Sequence, residues 1–301
     1  MSQYALSFAT YATLAELRME IGVNDATVTA GDPAAIRALI SATARIDLEL
    51  PGKAFLPRAE TRYFDAYADT EGLDLRLSEL LAEVTSVTNG DGSALTDADY
   101  TLIPKAGAPY SRVRLKAAGA VAWQADSSGD PVDAIQVAGI WHSTRPHSGQ
   151  WYATGETITL ASTTTASFTP ASPGGADAFR RTPRFSEGML LKWTVGGVTE
   201  YAEIVRIESG TGYLNRGVRG TTAVTPTSAA VSAWQVDPVI AKACARLASW
   251  YYKRAGNFAE ANFNAATGMG ERLPKDMPQD VTSILDHFKG ANTPTMRILE
   301  V

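Results

Sequence analysis

The residues best suited to chemistry are few and badly spaced for it. The chain holds three histidines, His142, His147 and His287, and one cysteine, Cys244. His142 and His147 do not have the i,i+4 spacing of a helical zinc pair, Pro146 lies between them, and no acidic third ligand stands nearby. They read as polar loop residues. A single thiol can form neither an intrachain disulfide nor a thiolate cluster. Flanked by Ala243 and Ala245, Cys244 reads as a buried packing residue. No metal and no cofactor is expected.

The carboxylates Asp65, Asp69, Glu71 and Asp74 are close in sequence, as are Asp97 and Asp99. A general acid or base needs an environment that tunes its pKa, and a turn-rich, half-exposed setting does not supply one. Solvated surface positions are the simpler expectation. There is no nucleophile elbow, no Walker loop and no dinucleotide fingerprint. The glycines of Gly210-x-Gly212 and Gly217-x-x-Gly220 belong to strand–turn contexts, where tight reversal explains them. Enzymatic activity is therefore not expected.

Arginine is better represented. Arg112, Arg114, Arg216 and Arg219 are candidate interface donors, in a set that also includes Lys116, Arg180, Arg181 and Arg184. Local ion pairs are the commoner use of such residues, ahead of subunit contacts and then nucleic-acid contact, because a guanidinium beside a glycine turn can hold a loop carbonyl or carboxylate. Trp250, Tyr251 and Tyr252 suit a helix interface better than a base-stacking platform. Trp141, Trp151 and Tyr152 could line a saccharide surface, which keeps a carbohydrate-binding or hydrolytic protein as a distant alternative. A β-domain core is the commoner use of such residues.

These side chains must be positioned by elements of two periods. Thr13 and Glu16 have capping-box spacing, which predicts a short helix over residues 14–21. Asp32-Pro33 predicts a second helix to about Leu48, with Ile36, Leu39, Ile40 and Ile46 on its apolar side. Asp237-Pro238 predicts a third to about Ala255, carrying Leu247, Trp250 and Tyr251. These two helices are expected to pack together, and the seven apolar residues named form the candidate helix-packing and oligomer interface. Residues 259–267 read as helical or as an ordered tail, interrupted by Gly268 and Gly270. A last helix is expected from Asp280 to His287, followed by a terminal arm over 292–301.

Between the helices the period is two. Arg62, Phe64 and Ala66 alternate with Tyr63, Asp65 and Tyr67. Leu73, Leu75 and Leu77 form another run, and Val84–Thr88 leads into the turn Asn89-Gly90-Asp91-Gly92. Tyr100–Ile103 follows, then Tyr110–Leu115 with Val113 and Leu115 opposite Arg112 and Arg114, then Ile135–Val137. Residues 142–233 read as an inserted β-rich domain, a small barrel or sandwich. Its strands are expected at Thr157–Leu160, Met189–Trp193, Tyr201–Ile207 (with Tyr201, Glu203, Val205 and Ile207 on one side), Gly212–Leu214, Gly217–Gly220 and Val231–Trp234. The fold class is thus α+β: a small helical bundle core with a β-hairpin region from residues 1–141 and 234–301, plus the insertion.

Composition sets the outer limits. With 301 residues, 45% apolar, the chain can bury one or two modest cores. Its 27 basic and 32 acidic residues leave a formal charge of -5, which does not favour wrapping nucleic acid. The first residues lack a basic and long apolar leader, and no run approaches the roughly 20 apolar residues of a membrane span. Cytosolic synthesis without membrane insertion is expected.

In their order, several segments resemble the tailed-phage head–tail connector, or adaptor, family. They are Thr13-Leu14-Ala15-Glu16-Leu17, Asp32-Pro33-Ala34-Ala35-Ile36, Arg62-Tyr63-Phe64, Val84 through Gly92, Asp99-Tyr100-Thr101-Leu102, Arg112-Val113-Arg114-Leu115, and the helix from Pro238 with Ala245-Arg246-Leu247-Ala248. The resemblance spans residues 10–140 and 236–289. It implies a virion protein at the head–tail junction, forming a ring of copies, often twelve, that extends the DNA channel without reading sequence. Its implied partners are the portal protein and a stopper or tail-completion protein. The stretch 142–233 exceeds the compact family pattern, and another tail-completion or baseplate structural protein is the nearest alternative.

Overall fold

The computed structural model describes residues 8–22, 33–119, 121–144, 150–177, 180, 182–260 and 277–290. They form an α+β fold with four helices and two antiparallel sheets, one of the sheets making a half-barrel. Asp32, residues 261–267 and the arm 292–301 lie outside the described residues.

Helix α1, Leu14–Ile21, begins at the predicted capping box. Thr13 Oγ1 accepts from the Glu16 amide while the Glu16 carboxylate accepts from the Thr13 amide, and Gly22 closes the helix in the left-handed region. Helix α2 runs Pro33–Glu49, α3 Pro238–Glu260 and α4 Gln279–Gly290. The third helix is thus longer than expected. Helices α2 and α3 pack against one another, and α1 and α4 lean on α3. Leu14, Leu17, Leu39, Ile46, Ile240, Leu247, Val281 and Leu285 close their shared core.

The first sheet takes its strands from the first half of the chain. They are β1 (Arg58–Phe64), β2 (Thr70–Glu71), β3 (Asp74–Thr88), β4 (Ala94–Leu95), β5 (Tyr100–Ile103), β6 (Tyr110–Leu115) and β7 (Ile135–Trp141). Their order is β1-β7-β3-β6-β5, with β2 and β4 also paired to β3. The two apolar runs near Leu75 and Val87 are not separate strands. One 15-residue strand contains both, and register shifts between Arg76 and Leu81, Leu81 and Glu83, and Val84 and Ser86 break its alternation. The predicted turn does reverse the chain into β4, with the Asn89 amide donating to Ser93 O and Gly92 to Asn89 O. Phe64, Leu75, Val113, Leu115, Ile135 and Trp141 fill this sheet's own core, so the alternation read for β1 and β6 holds.

The second sheet comprises β8 (Trp151–Ile158), β9 (Ser167–Phe168), β10 (Leu190–Val195), β11 (Val198–Glu208), β12 (Thr211–Arg216) and β13 (Ala229–Trp234), in the order β8-β13-β10-β11-β12-β9. The path ends at β8 and β9, which do not pair with each other, so strand pairing does not close a full barrel. Gly196 and Gly197, both at positive φ, link β10 to β11 in a two-residue hairpin with Val195 opposite Val198. Residues 217–220, expected as a strand, form a turn.

The single-face reading of β11 is also corrected. A register shift between Ile204 and Arg206 breaks it, and the strand is buried on both sides. Ala202 and Ile204 enter the sheet's own core, whereas Tyr201 joins Leu190 and Trp234 in the helical core. The second sheet therefore shares side chains with the helices rather than standing off from them. Hydrogen bonds reinforce the join: Thr10 donates to Gly188 O at 3.0 Å, Leu14 to Glu187 O at 3.1 Å, and Trp234 Nε1 to Phe55 O at 2.9 Å.

Candidate functional site

Where helix α2, the segment before β1 and the turn after β12 converge, they leave a cleft of about 530 Å³. Tyr11, Asp47, Lys53, Arg58, Glu79 and Arg219 contribute its polar atoms. The Tyr11 phenol donates to Asp47 Oδ1, and its ring meets Phe55 edge-on at 5.5 Å. Burial pushes the phenol well above its ordinary pKa, and the Asp47 charge adds to the rise. Much of Asp47 is exposed, yet its carboxyl group is packed by protein at the cleft mouth. That desolvation raises its pKa, with the Tyr11 hydrogen bond opposing.

Deeper in, Glu79 Oε2 accepts from Arg58 at 3.0 Å and from Arg62, whose guanidinium also stacks 4.5 Å from the Trp141 ring centre. Arg219 lies 3.3 Å from Glu203. Glu203 also accepts from the Phe8 amide at 2.8 Å and Asn215 Nδ2 at 3.2 Å. The polar groups of the cleft are thus taken up in hydrogen bonds and ion pairs: Tyr11 joins Asp47 of α2 to the Phe55 amide before β1, Glu79 gathers the β1 arginines, and Glu203 holds the turn after β12. The cleft sets no nucleophile beside a base.

The predicted interface arginines divide into two kinds. Arg112 and Arg114 are half-exposed on β6 and share Asp74, which Arg114 grips with Nε at 2.5 Å and Nη2 at 2.7 Å. The Arg114 hydrogen bond holds the Asp74 carboxyl below the usual carboxylate range. Arg216 and Arg219 are enclosed within the chain. Arg216 forks onto Glu200 and donates to four carbonyls, Ser162, Thr163, Thr165 and Val224. Both serve as ties within the chain. Lys116 reaches Asp97 O, Arg184 bonds Glu156 and Ala176 O, and Arg180 is exposed. Arg181 lies outside the described residues.

Of the apolar interface set, Leu39, Ile46 and Leu247 are fully buried in the chain's own helical core, and Ile36, Ile40, Trp250 and Tyr251 are half-buried around it. Among the described residues, Met19, Leu48 and Val239 are the large apolar side chains exposed on the helices, with Leu48 at 77%. Leu48 falls off the stripe that marked the helix in the sequence, so periodicity did not single it out.

The remaining candidates do not assemble into a site. His142 is buried, its ring 4.9 Å from Trp234, and is not a solvated loop residue; His287 is exposed and His147 lies outside the described residues. Among the described residues no three His, Cys, Asp or Glu side chains are grouped for a metal ion. Cys244 touches Thr43 in the core, and burial pushes its thiol up to about 12. Asp65 caps the Tyr67 and Ala68 amides, Asp69 bonds the Asp65 amide, Glu71 pairs with Arg76, and Asp99 accepts from Thr96. Trp141 and Tyr152 are buried in different cores while Trp151 packs on Tyr201 and Trp234, so the three share no open aromatic surface.

The class these features define is an α+β protein with helices packed against two antiparallel sheets. Comparison with protein families, with characterised proteins and with solved structures finds no match.

Proposed function

We propose that this chain is a structural virion protein of the head–tail connector type, one subunit of a ring between the portal and a stopper or tail-completion protein. The observation that carries the reading is the union of α2 and α3. Helices from opposite ends of a β-rich chain meet in one module, in the order that the connector resemblance implies. Supporting it, the buried arginines and carboxylates are engaged in holding the fold, while Met19, Leu48 and Val239 present apolar area on the helices. Such side chains suit contact between copies. A net charge of -5 suits a channel wall past which DNA slides without adhering.

Copies are expected to be monomeric or weakly associated in isolation and to complete the ring on the portal. Cryo-electron microscopy of purified virions tests this. Density for the chain between portal and tail, in a ring of equivalent copies, is the expected result. Absence of the polypeptide from that vertex defeats the proposal.

A further inference from the structure

Each charged group of the cleft beside α2 has a partner in the chain, yet one of its ion pairs does not use all of its atoms. Arg58 Nη2 donates to Glu79 Oε2 at 3.0 Å, and Arg62 donates to the same oxygen. Glu79 Oε1 and Arg58 Nε, both enclosed by protein, have no hydrogen-bond partner among the described residues. Both residues line the cleft, and the Glu79 side chain is only 5% exposed. A carboxylate oxygen enclosed without a donor is costly, and so is a guanidinium N–H without an acceptor. Because the two groups are already joined through Nη2 and Oε2, the spare acceptor and the spare donor flank a single ion pair. A guest that relieves both must carry a donor and an acceptor close together.

Lys53, just beyond α2, lines the same space. Its ammonium has three N–H groups and uses one on Phe288 O, with no carboxylate paired to it among the described residues. Asp47 faces the cleft as well, holding the Tyr11 phenol, while Arg219 is held by Glu203. Cations and carboxylates thus share one wall, so a guest of either single sign meets repulsion and a zwitterion does not. Ile40, Leu50 and Leu56 supply apolar lining, and about 530 Å³ is a volume that encloses a small molecule. Burial moves Tyr11 and Asp47 up from their ordinary pKa values and Lys53 and Arg219 down, so charge in this cleft is poorly screened by solvent.

We propose that the cleft binds a small zwitterion, an α-amino acid with an apolar side chain. Its ammonium donates to Glu79 Oε1, its carboxylate accepts from Arg58 Nε and Lys53 Nζ, and its side chain lies against Ile40, Leu50 and Leu56. The two charged groups of an α-amino acid sit on one carbon, which matches a donor and an acceptor flanking one ion pair. This assignment does not rest on the ring reading, and either can fail without the other.

Titration of the full chain with L-leucine and with L-phenylalanine, followed by amide chemical shifts, tests it. At least one is expected to bind with a Kd below about 1 mM and to move the Lys53, Ala54 and Arg58 amides. For whichever binds, removing the ammonium or amidating the carboxylate should weaken binding at least about tenfold. Lys53→Met and Glu79→Gln should each weaken it as well. Glu79 also holds two arginines, so if Glu79→Gln does not fold, Lys53→Met and the two ligand analogues carry the test. Failure of both amino acids to bind overturns the proposal. So does equal affinity for the analogues, or binding that Lys53→Met leaves untouched.

Discussion

Arg216 holds Glu200 by two parallel hydrogen bonds, Nε to Oε1 at 2.9 Å and Nη2 to Oε2 at 2.7 Å, with both side chains closed to water. The carboxylate also accepts from Trp193 Nε1 at 3.1 Å, the Val224 amide at 2.8 Å and the Gly217 amide at 3.2 Å. A buried charge so fully engaged cannot lose its counterpart cheaply. Arg216→Ala is expected to cost about 3–5 kcal/mol, and Arg216→Met with Glu200→Leu to recover only part of that loss, because the Trp193, Gly217 and Val224 donors then lose their acceptor. Urea denaturation of the two variants checks the order. Equal loss in both would show that packing, not the stranded charge, dominates.

Asp47 has the opposite linkage to an ordinary ion-paired carboxylate. Burial raises its folded pKa, so between its unfolded and folded values the native chain holds the proton more tightly. Its contribution to stability is complete below the unfolded pKa and declines as pH rises through the folded one. Asp47→Asn should therefore flatten the fall in stability over that acidic window. Denaturation midpoints across the carboxylate range measure it; an unchanged slope counts against the assignment.

Asp74 behaves in the reverse sense. The Arg114 hydrogen bond lowers its folded pKa, so its contribution is present above the unfolded value and is lost as pH falls through the folded one. Arg112 and Arg114 are half in water, which screens the pair. Asp74→Asn is expected to cost only about 1 kcal/mol at low salt and less at high salt, a difference that thermal melts at two ionic strengths can read.

Gly220 lies at the contact between the two sheets. It has positive φ, and a Cβ there would come 1.7 Å from Ala59 O. Gly220→Ala must shift backbone on one side or the other, and we expect a loss of about 2–3 kcal/mol. The same substitution at Gly196, which also has positive φ but open space around it, should cost less. Comparable losses at both sites would remove the special claim for the sheet contact.

Leu247 and Leu48 separate folding from assembly. Leu247→Ala empties a fully buried site between helices and should cost about 2–5 kcal/mol. Leu48→Asp, on an exposed side chain, should leave the melting curve within about 0.5 kcal/mol while reducing incorporation into particles. A Leu48→Asp chain that assembles normally would remove this residue from the interface.

The helices were the most legible part of the sequence because their signals are local. Thr13 with Glu16, and proline at the first turns of α2 and α3, state where a helix starts whatever surrounds it. The union of α2 and α3 followed from two apolar stripes that each needed a cover. Strand β3 was misread because its register shifts interrupt the alternation by which a strand is recognised. The one-sided reading of Tyr201, Glu203, Val205 and Ile207 failed for a related reason, since β11 is covered on both faces and its register shifts between Ile204 and Arg206. The cleft was not visible at all. Tyr11, Asp47 and Arg219 are brought together only by the fold, and no short spacing could announce them. Likewise Arg216 and Arg219 carry a sequence signature that fits an outward donor and an inward tie equally well.

Thr43 and Cys244 touch across a sequence separation of 201, and this separation has a temporal meaning. At synthesis rates of about 5–20 residues per second, α2 leaves the ribosome on the order of 10–40 s before α3. Through that interval Leu39, Ala42 and Ile46 have no α3 to cover them. The nascent chain is thus exposed to aggregation and to holdase capture until its closing helix emerges, whereas the first sheet, whose strands are complete by Trp141, is free to form much earlier.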